Sequence, residues 1–388
     1  MSEAVESQAA LRHSPLEESH RRAGARFVEQ DGCVVPAAYS GGAEEYEAVR
    51  AGGAGLFDLS SRGRVEVSGG EAVQFLNGML TNDVAGLAEG AWMHAAFPNP
   101  QGRLLASTRI LRRGGAFLFD TEAATYPAVL KHLGRFTLAG DFRVQDLTAE
   151  TALLSVQGAR AAEFVASALG EDAATTARGR VTRAPFGGGE VTIIRATHTS
   201  EDGFDLFVDA ADAESLWDAL AAAGARPAGH EALEVLRVEA GLPRYGIDAS
   251  DANVVLEVVD EAEAVSYTKG CYAGQEIIAR IHWRGHVAKR LAGILFEHDA
   301  EPPPDARLRD PASGREAGRI TSAVFSPRLH ARVALALVKY DFLAPGTELK
   351  IFSGETEVCA AHVAELPLVR GSWYAQATDE QTGAGEPG

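Results

Sequence analysis

The chain of 388 residues carries 36 Lys and Arg against 54 Asp and Glu, a formal net charge of −18, with 46% hydrophobic and 23% charged residues. That size exceeds what one core supports, so two or three domains are expected, and the charge opposes stable binding to nucleic acid or anionic membranes. No apolar run reaches the roughly 18 residues of a membrane span, and the start, MSEAVESQAALRHSPLEESHRRAG, is acidic and polar rather than signal-like, so a cytoplasmic address is expected.

In chain order, residues 1–13 read as a flexible terminus. GRVEVSG (63–69) alternates as a strand and EAVQFLNGML (71–80) has helical spacing. GFDLFVD (203–209) is a second strand, and DAESLWDALAAAG (212–224) a helix with glycine at its end. GHEALEVLRVEAG (229–241) predicts a further helix stopped by Gly241, with Pro243 shortly after. From about residue 289 the pattern changes to short β-like runs, RLAGILF, AGRITSAVFS, ARVALALVKY and TELKIF, separated by Pro and Gly turns. This predicts a small antiparallel β-barrel over 287–370, followed by a flexible tail at 371–388. Strands and helices mix without a regular βαβ repeat, so the fold class is α+β and multi-domain.

General chemical motifs are absent. There is no phosphate-binding GxxxxGK[ST], no HExxH and no EF-hand loop, and HEALEV lacks a second histidine. Cys33, Cys271 and Cys359 are an odd set without a CxxC pair, so neither a disulfide framework nor a metal site is expected, and the thiols read as reduced. Arg280, His282, Arg284, His286, Lys289 and Arg290 make a local basic run, either a solvated face or an anion-attracting patch. Asp205 sits among phenylalanines in GFDLFVD. It either faces solvent by alternation or accepts paired N–H donors from a flat heterocycle. Cys271, in KGCYAGQE, is either a buried thiol in a tight turn or a thiolate stabilised by Lys269 and a helix start near Gln275.

KGCYAGQE (269–276) resembles the K-G-C-[aromatic]-x-G-Q-E signature of YgfZ-type folate-binding proteins, relatives of the glycine-cleavage T-protein. FPNPQGRLLA, EDGFDLFV, LRVEAGLPRYGID and GRITSAVFSP continue the resemblance in order, over roughly residues 14 to 345. It implies a cloverleaf of domains around a tetrahydrofolate cavity, with 14–286 as two interleaved α+β domains. Asp205 falls where T-proteins carry a pterin-reading glutamate, Tyr245 matches a pocket tyrosine, and His94 and His198 fall at pocket tyrosines. The usual catalytic aspartate is replaced by Ala106 or Ser107 in GRLLAS. The resemblance therefore implies a folate-binding accessory protein that supports iron–sulfur cluster assembly or repair in client enzymes, including tRNA-modifying ones. Cys271 and Lys269 would be its reactive pair, and aminomethyltransferase activity would be lost. The alternatives are a true aminomethyltransferase and a non-catalytic interaction module on the same scaffold.

Overall fold

The structure, a computed structural model, describes residues 10–375 apart from 136, 139 and 305. Gly55–Asp58 enters a six-stranded sheet, and the chain then leaves to build a five-stranded one. The second sheet comprises Gly63–Ser68, Trp92–Pro98, Leu104–Arg113, Ala116–Thr121 and Arg143–Asp146. The chain returns through Thr151–Gln157, which pairs antiparallel with Gly203–Asp209 at the centre of the six-stranded sheet; Val181–Phe186, Gly189–Arg195 and Arg226–Pro227 complete it.

Period-2 alternation gives each sheet two apolar faces. Leu56, Leu154, Val156, Phe204, Leu206 and Val208 pack beneath the helices Ala161–Leu169 and Ala213–Ala223. Val65, Phe97, Ala106, Ile110, Phe117 and Phe119 pack beneath Ala72–Met79 and Tyr126–Gly134. The remaining faces meet each other, with Phe57, Leu153, Ile194 and Phe207 of one sheet against Trp92, Leu111 and Leu118 of the other. Burial of each such side chain contributes about 1.5–3 kcal/mol, so this shared layer holds the two sheets together.

The expected helices lie at Ala72–Met79, Ala213–Ala223 and His230–Glu239. Gly224 closes the second in the left-handed conformation, φ +117°, where a side chain would be strained. The last six strands close into an antiparallel barrel filled by residues such as Ile294, Leu308, Ile320, Val338 and Ile351. The α+β class and the barrel are thus as the patterning predicts.

His230–Glu239 joins the barrel to the rest. Arg237 Nη1 donates to Asp248 Oδ2 at 2.5 Å and Nη2 to Ser322 Oγ at 2.6 Å. Glu239 accepts from Tyr46 Oη at 2.8 Å, Arg50 Nη2 at 2.8 Å and Ser326 Oγ at 2.5 Å.

Both termini depart from expectation. Arg12–His13 pairs with the strand Cys33–Ala38, and Ser372–Ala375 forms a helical turn whose Ser372 N–H and Oγ both donate to Glu201, at 2.8 and 2.7 Å. These backbone groups are hydrogen-bonded to the body, so the segments are part of the fold despite their polar composition. Residues 1–9 and 376–388 lie outside the described residues.

Candidate functional site

Asp205 lies opposite Ser155 and Ile194 on the face turned toward the five-stranded sheet. It is 0% exposed, so alternation carries it inward and not to solvent. Its Oδ2 lies 2.5 Å from Arg109 Nη1 and 2.9 Å from His198 Nε2, while Oδ1 is buried without a hydrogen-bond partner among the described residues. Burial alone would raise this carboxyl; His198 and the Arg109 guanidinium outweigh it and hold the group well below the usual carboxylate range.

Arg109, on Leu104–Arg113, stands opposite His94 on one neighbouring strand and Asp120 on the other, so the three share a face. Its Nε donates to Asp120 Oδ2 at 2.7 Å, and Arg62 completes Asp120 with bonds of 2.7 and 2.9 Å. Burial opposes the Asp120 charge, but Arg109 and Arg62 lower its pKa to about 2. Two carboxylates and two guanidiniums therefore balance one another across the sheet interface. Such a cluster persists away from water only when its charges are paired.

The His198 backbone N–H donates to Gln157 Oε1 at 2.9 Å, which fixes the loop carrying the ring. The ring retains 18% exposure and covers Asp205. His94 retains 43% side-chain exposure, yet burial, together with Arg109 and His198, depresses its pKa to about 4. At neutral pH this imidazole is therefore uncharged. The Tyr245 N–H donates to Glu122 Oε2 at 2.9 Å, and Glu122, raised by burial, is opposed by Arg62. Asp205 and His198 thus meet at Arg109, whose cross-strand neighbour is His94, while Tyr245 is tied to Glu122.

Two sequence expectations change here. Asp205 does not face solvent, and the groups that meet its Oδ2 in the structure are Arg109 and His198. Of the pair at the missing aspartate, Ala106 is 0% exposed in the outer core, whereas Ser107 lies opposite Ala96 on the Arg109 side. Ser107 is the residue of the pair that shares the Arg109 face. Arg109 itself escaped notice. Its only sequence signal was a cation within the otherwise apolar run LLASTRIL.

Lys269 is occupied elsewhere. Its Nζ donates to the carbonyl oxygens of Asn77, Leu80 and Asn82 at 2.7, 2.7 and 2.9 Å, closing the end of Ala72–Met79, and burial lowers its pKa to about 8. With these three donors committed to carbonyls, it does not serve as the partner expected for the Cys271 sulfur. Gly274 has φ +79°, and a β-carbon there would stand 2.4 Å from the Asn99 carbonyl oxygen. Tyr272 is buried. Lys269, Tyr272 and Gly274 therefore hold this segment against the body of the protein.

Cys271 is exposed, while Cys33 and Cys359 are buried with thiols raised by burial. No hydrogen bond or ion pair joins Cys271 to the Arg109 network among the described residues. In native protein, iodoacetamide should alkylate Cys271 about tenfold or more faster than either other cysteine, since access and thiolate fraction both govern the rate. Peptide mapping by mass spectrometry checks this, and equal labelling would contradict the placement. Among the described residues no group of three or more His, Cys, Asp or Glu is placed to hold a metal ion, and no helix is long and apolar enough to cross a membrane.

Residues 16–259 match the GCVT N-terminal domain, and residues 289–369 match the glycine cleavage T-protein C-terminal barrel domain. The chain belongs to the glycine cleavage T-protein family. An aminomethyltransferase of Rubrobacter xylanophilus is 35% identical over 368 residues, covering 94% of this chain and 96% of the relative. One from Thermus thermophilus is 34% identical over 332 residues, covering 85% and 92%. The crystal structure of the glycine cleavage system aminomethyltransferase T from Bartonella henselae superposes with a TM-score of 0.83 at 26% identity, covering 93% of this chain and 99% of that one. These relatives overturn the expectation that transferase activity is lost, because proteins named aminomethyltransferase align with the T-protein chain over nearly its full length. The YgfZ-type assignment and the iron–sulfur clients gain no support from them.

Proposed function

We propose that this T-protein-family chain is a tetrahydrofolate-dependent aminomethyltransferase, moving a one-carbon unit from an aminomethyl donor to folate. The observation that carries the reading is the Arg109–Asp205–His198 bridge between the two sheets, with His94 and Ser107 on the Arg109 face, in a chain whose near full-length relatives are named aminomethyltransferase. This face offers neutral imidazole at His94, a hydroxyl at Ser107, and a buried carboxylate with an unpartnered oxygen beside His198. Such a mix of flat rings and few polar anchors suits a pterin.

Folate, when bound, supplies the amine that accepts the carbon. His94, His198 and Tyr245 hold and orient the ring, Asp205 acts through His198, and Arg109 keeps Asp205 ionised. The donor enters from the solvent side, where His94 remains accessible.

Calorimetric titration with tetrahydrofolate, followed by a turnover assay with an aminomethyl-loaded carrier protein, tests the reading. Binding with turnover in the roughly 1–10³ per second range typical of enzymes is expected. Folate binding without turnover would reject the transferase and leave a binding protein.

A further inference from the structure

Proton handling has no obvious agent at this site, because the residue on the Arg109 face at the expected carboxylate position is Ser107, whose hydroxyl is not a base near neutral pH. The polar groups next to it are differently equipped. Arg109 is held firmly protonated by Asp120 and Asp205 against the pull of burial, so it cannot accept a proton. Asp120 and Asp205 are both enclosed and paired. His94 carries no buried acid behind it; its neighbour is the exposed Glu263, 3.6 Å away.

His198 combines the remaining requirements. Its Nε2 is 2.9 Å from a carboxylate that is 0% exposed, its backbone is anchored on Gln157, and its ring keeps partial access. A buried acid bound to one ring nitrogen orients the imidazole, selects the tautomer and stabilises the cation that forms when the other nitrogen takes a proton.

We infer that His198 is the general base of the transfer, with Asp205 and Arg109 as its positioning residues. The inference rests on the proposed transferase reading. With Nε2–H committed to Asp205, Nδ1 is the nitrogen left to accept a proton. His198 takes the proton of the folate amine while that amine's lone pair forms the N–C bond to the donor carbon. The bond from that carbon to the carrier heteroatom breaks, and the heteroatom leaves with the electron pair. His198 then returns the proton to the departing heteroatom, so protein charge and protonation are restored and no oxidant or reductant is needed.

Other charges around the ring are accounted for. Asp205 touches it, Arg109 lies on the far side of Asp205, and His94 is close enough to be influenced by it. On its own loop, Glu201 pairs with Arg50 and Asp202 with Arg195. Asp205 is thus the acid in contact with the His198 ring, and it fixes the ring's orientation.

The test compares wild type, His198→Gln and Asp205→Asn by two readouts. His198→Gln should lower kcat at saturating folate by about 10²–10⁴-fold, the usual contribution of a positioned base, a far larger factor than the loss of tetrahydrofolate affinity that calorimetry reads for the lost ring contact. Asp205→Asn should lower kcat by a larger factor than it weakens folate binding, and it should move the His198 ring resonances in histidine ¹⁵N spectra, because the carboxylate that selects the tautomer is gone. The Nδ1 resonance should also move when tetrahydrofolate is added to wild type. Full activity in His198→Gln overturns the inference, as does an Nδ1 signal indifferent to folate. If wild type binds folate but shows no turnover, the transferase reading fails separately, and the Nδ1 response still decides whether His198 meets the folate amine. Circular dichroism and thermal melts of each variant confirm that the folded state is being compared.

Discussion

Asp120→Ala is expected to destabilise the protein by about 3–5 kcal/mol, the range for breaking a buried ion pair and leaving its partner charged. Asp120 is 0% exposed and is the acid that Arg62 and Arg109 share. Its loss leaves Arg109 dependent on Asp205 alone, inside the layer that joins the sheets. Urea unfolding measures the effect, and a loss below about 1 kcal/mol, as for an exposed pair, would show that water reaches the cluster. The pH dependence has a definite sign. The Asp120 folded-state pKa of about 2 lies below the ordinary 3.8, so between these values the unfolded chain binds more protons and stability rises with pH. The contribution is full above about pH 4 and is lost as pH falls toward 2; in Asp120→Asn this part of the acid limb should flatten.

Lys269→Met should cost about 2–4 kcal/mol, since hydrogen bonds to a charged group are worth about 1.5–3 kcal/mol each and part of that is recovered by water. The ammonium joins three carbonyls at the end of Ala72–Met79, where a cation also meets the negative end of the helix. Methionine keeps the apolar stem while removing every donor. Here the linkage has the same sign but lies in the alkaline range. Burial holds the folded pKa at about 8, below the usual 10.5, so the unfolded state binds more protons in that window and this group's contribution grows as pH rises through it. Denaturant midpoints from pH 7 to 10 should show that rise in wild type and lack it in Lys269→Met. A variant with wild-type stability would mean that the clamp is incidental.

The two predictions lie on opposite sides of what could be read from residues in order. The strand GFDLFVD, the helix before Gly224 and the barrel after residue 289 all follow from local periodicity, because an element with one buried face writes that face into its own spacing. The ordered motifs also carried the family. Asp205, His94, His198 and Tyr245 were named as a set through that resemblance, and the structure joins Asp205 and His198 at Arg109.

What those side chains do was not legible. KGCYAGQE suggested that Lys269 serves Cys271, since neighbours in sequence look like neighbours in space, yet Lys269 reaches back to Asn77, Leu80 and Asn82. Gly274 likewise answers to the distant turn at Asn99 and Gly102. Nothing in LLASTRIL says that Arg109 will meet an aspartate from another sheet. Sequence by itself determined the secondary elements, the α+β class and the barrel, because these depend on short-range periodicity and turn chemistry. Only the tertiary structure decided that Asp205 is enclosed against His198 and Arg109, that Ser107 rather than Ala106 shares the Arg109 face, and that Lys269 is a clamp. Each of these depends on which sheet face is pressed against which, and a charge brought out of water takes the partner that packing delivers.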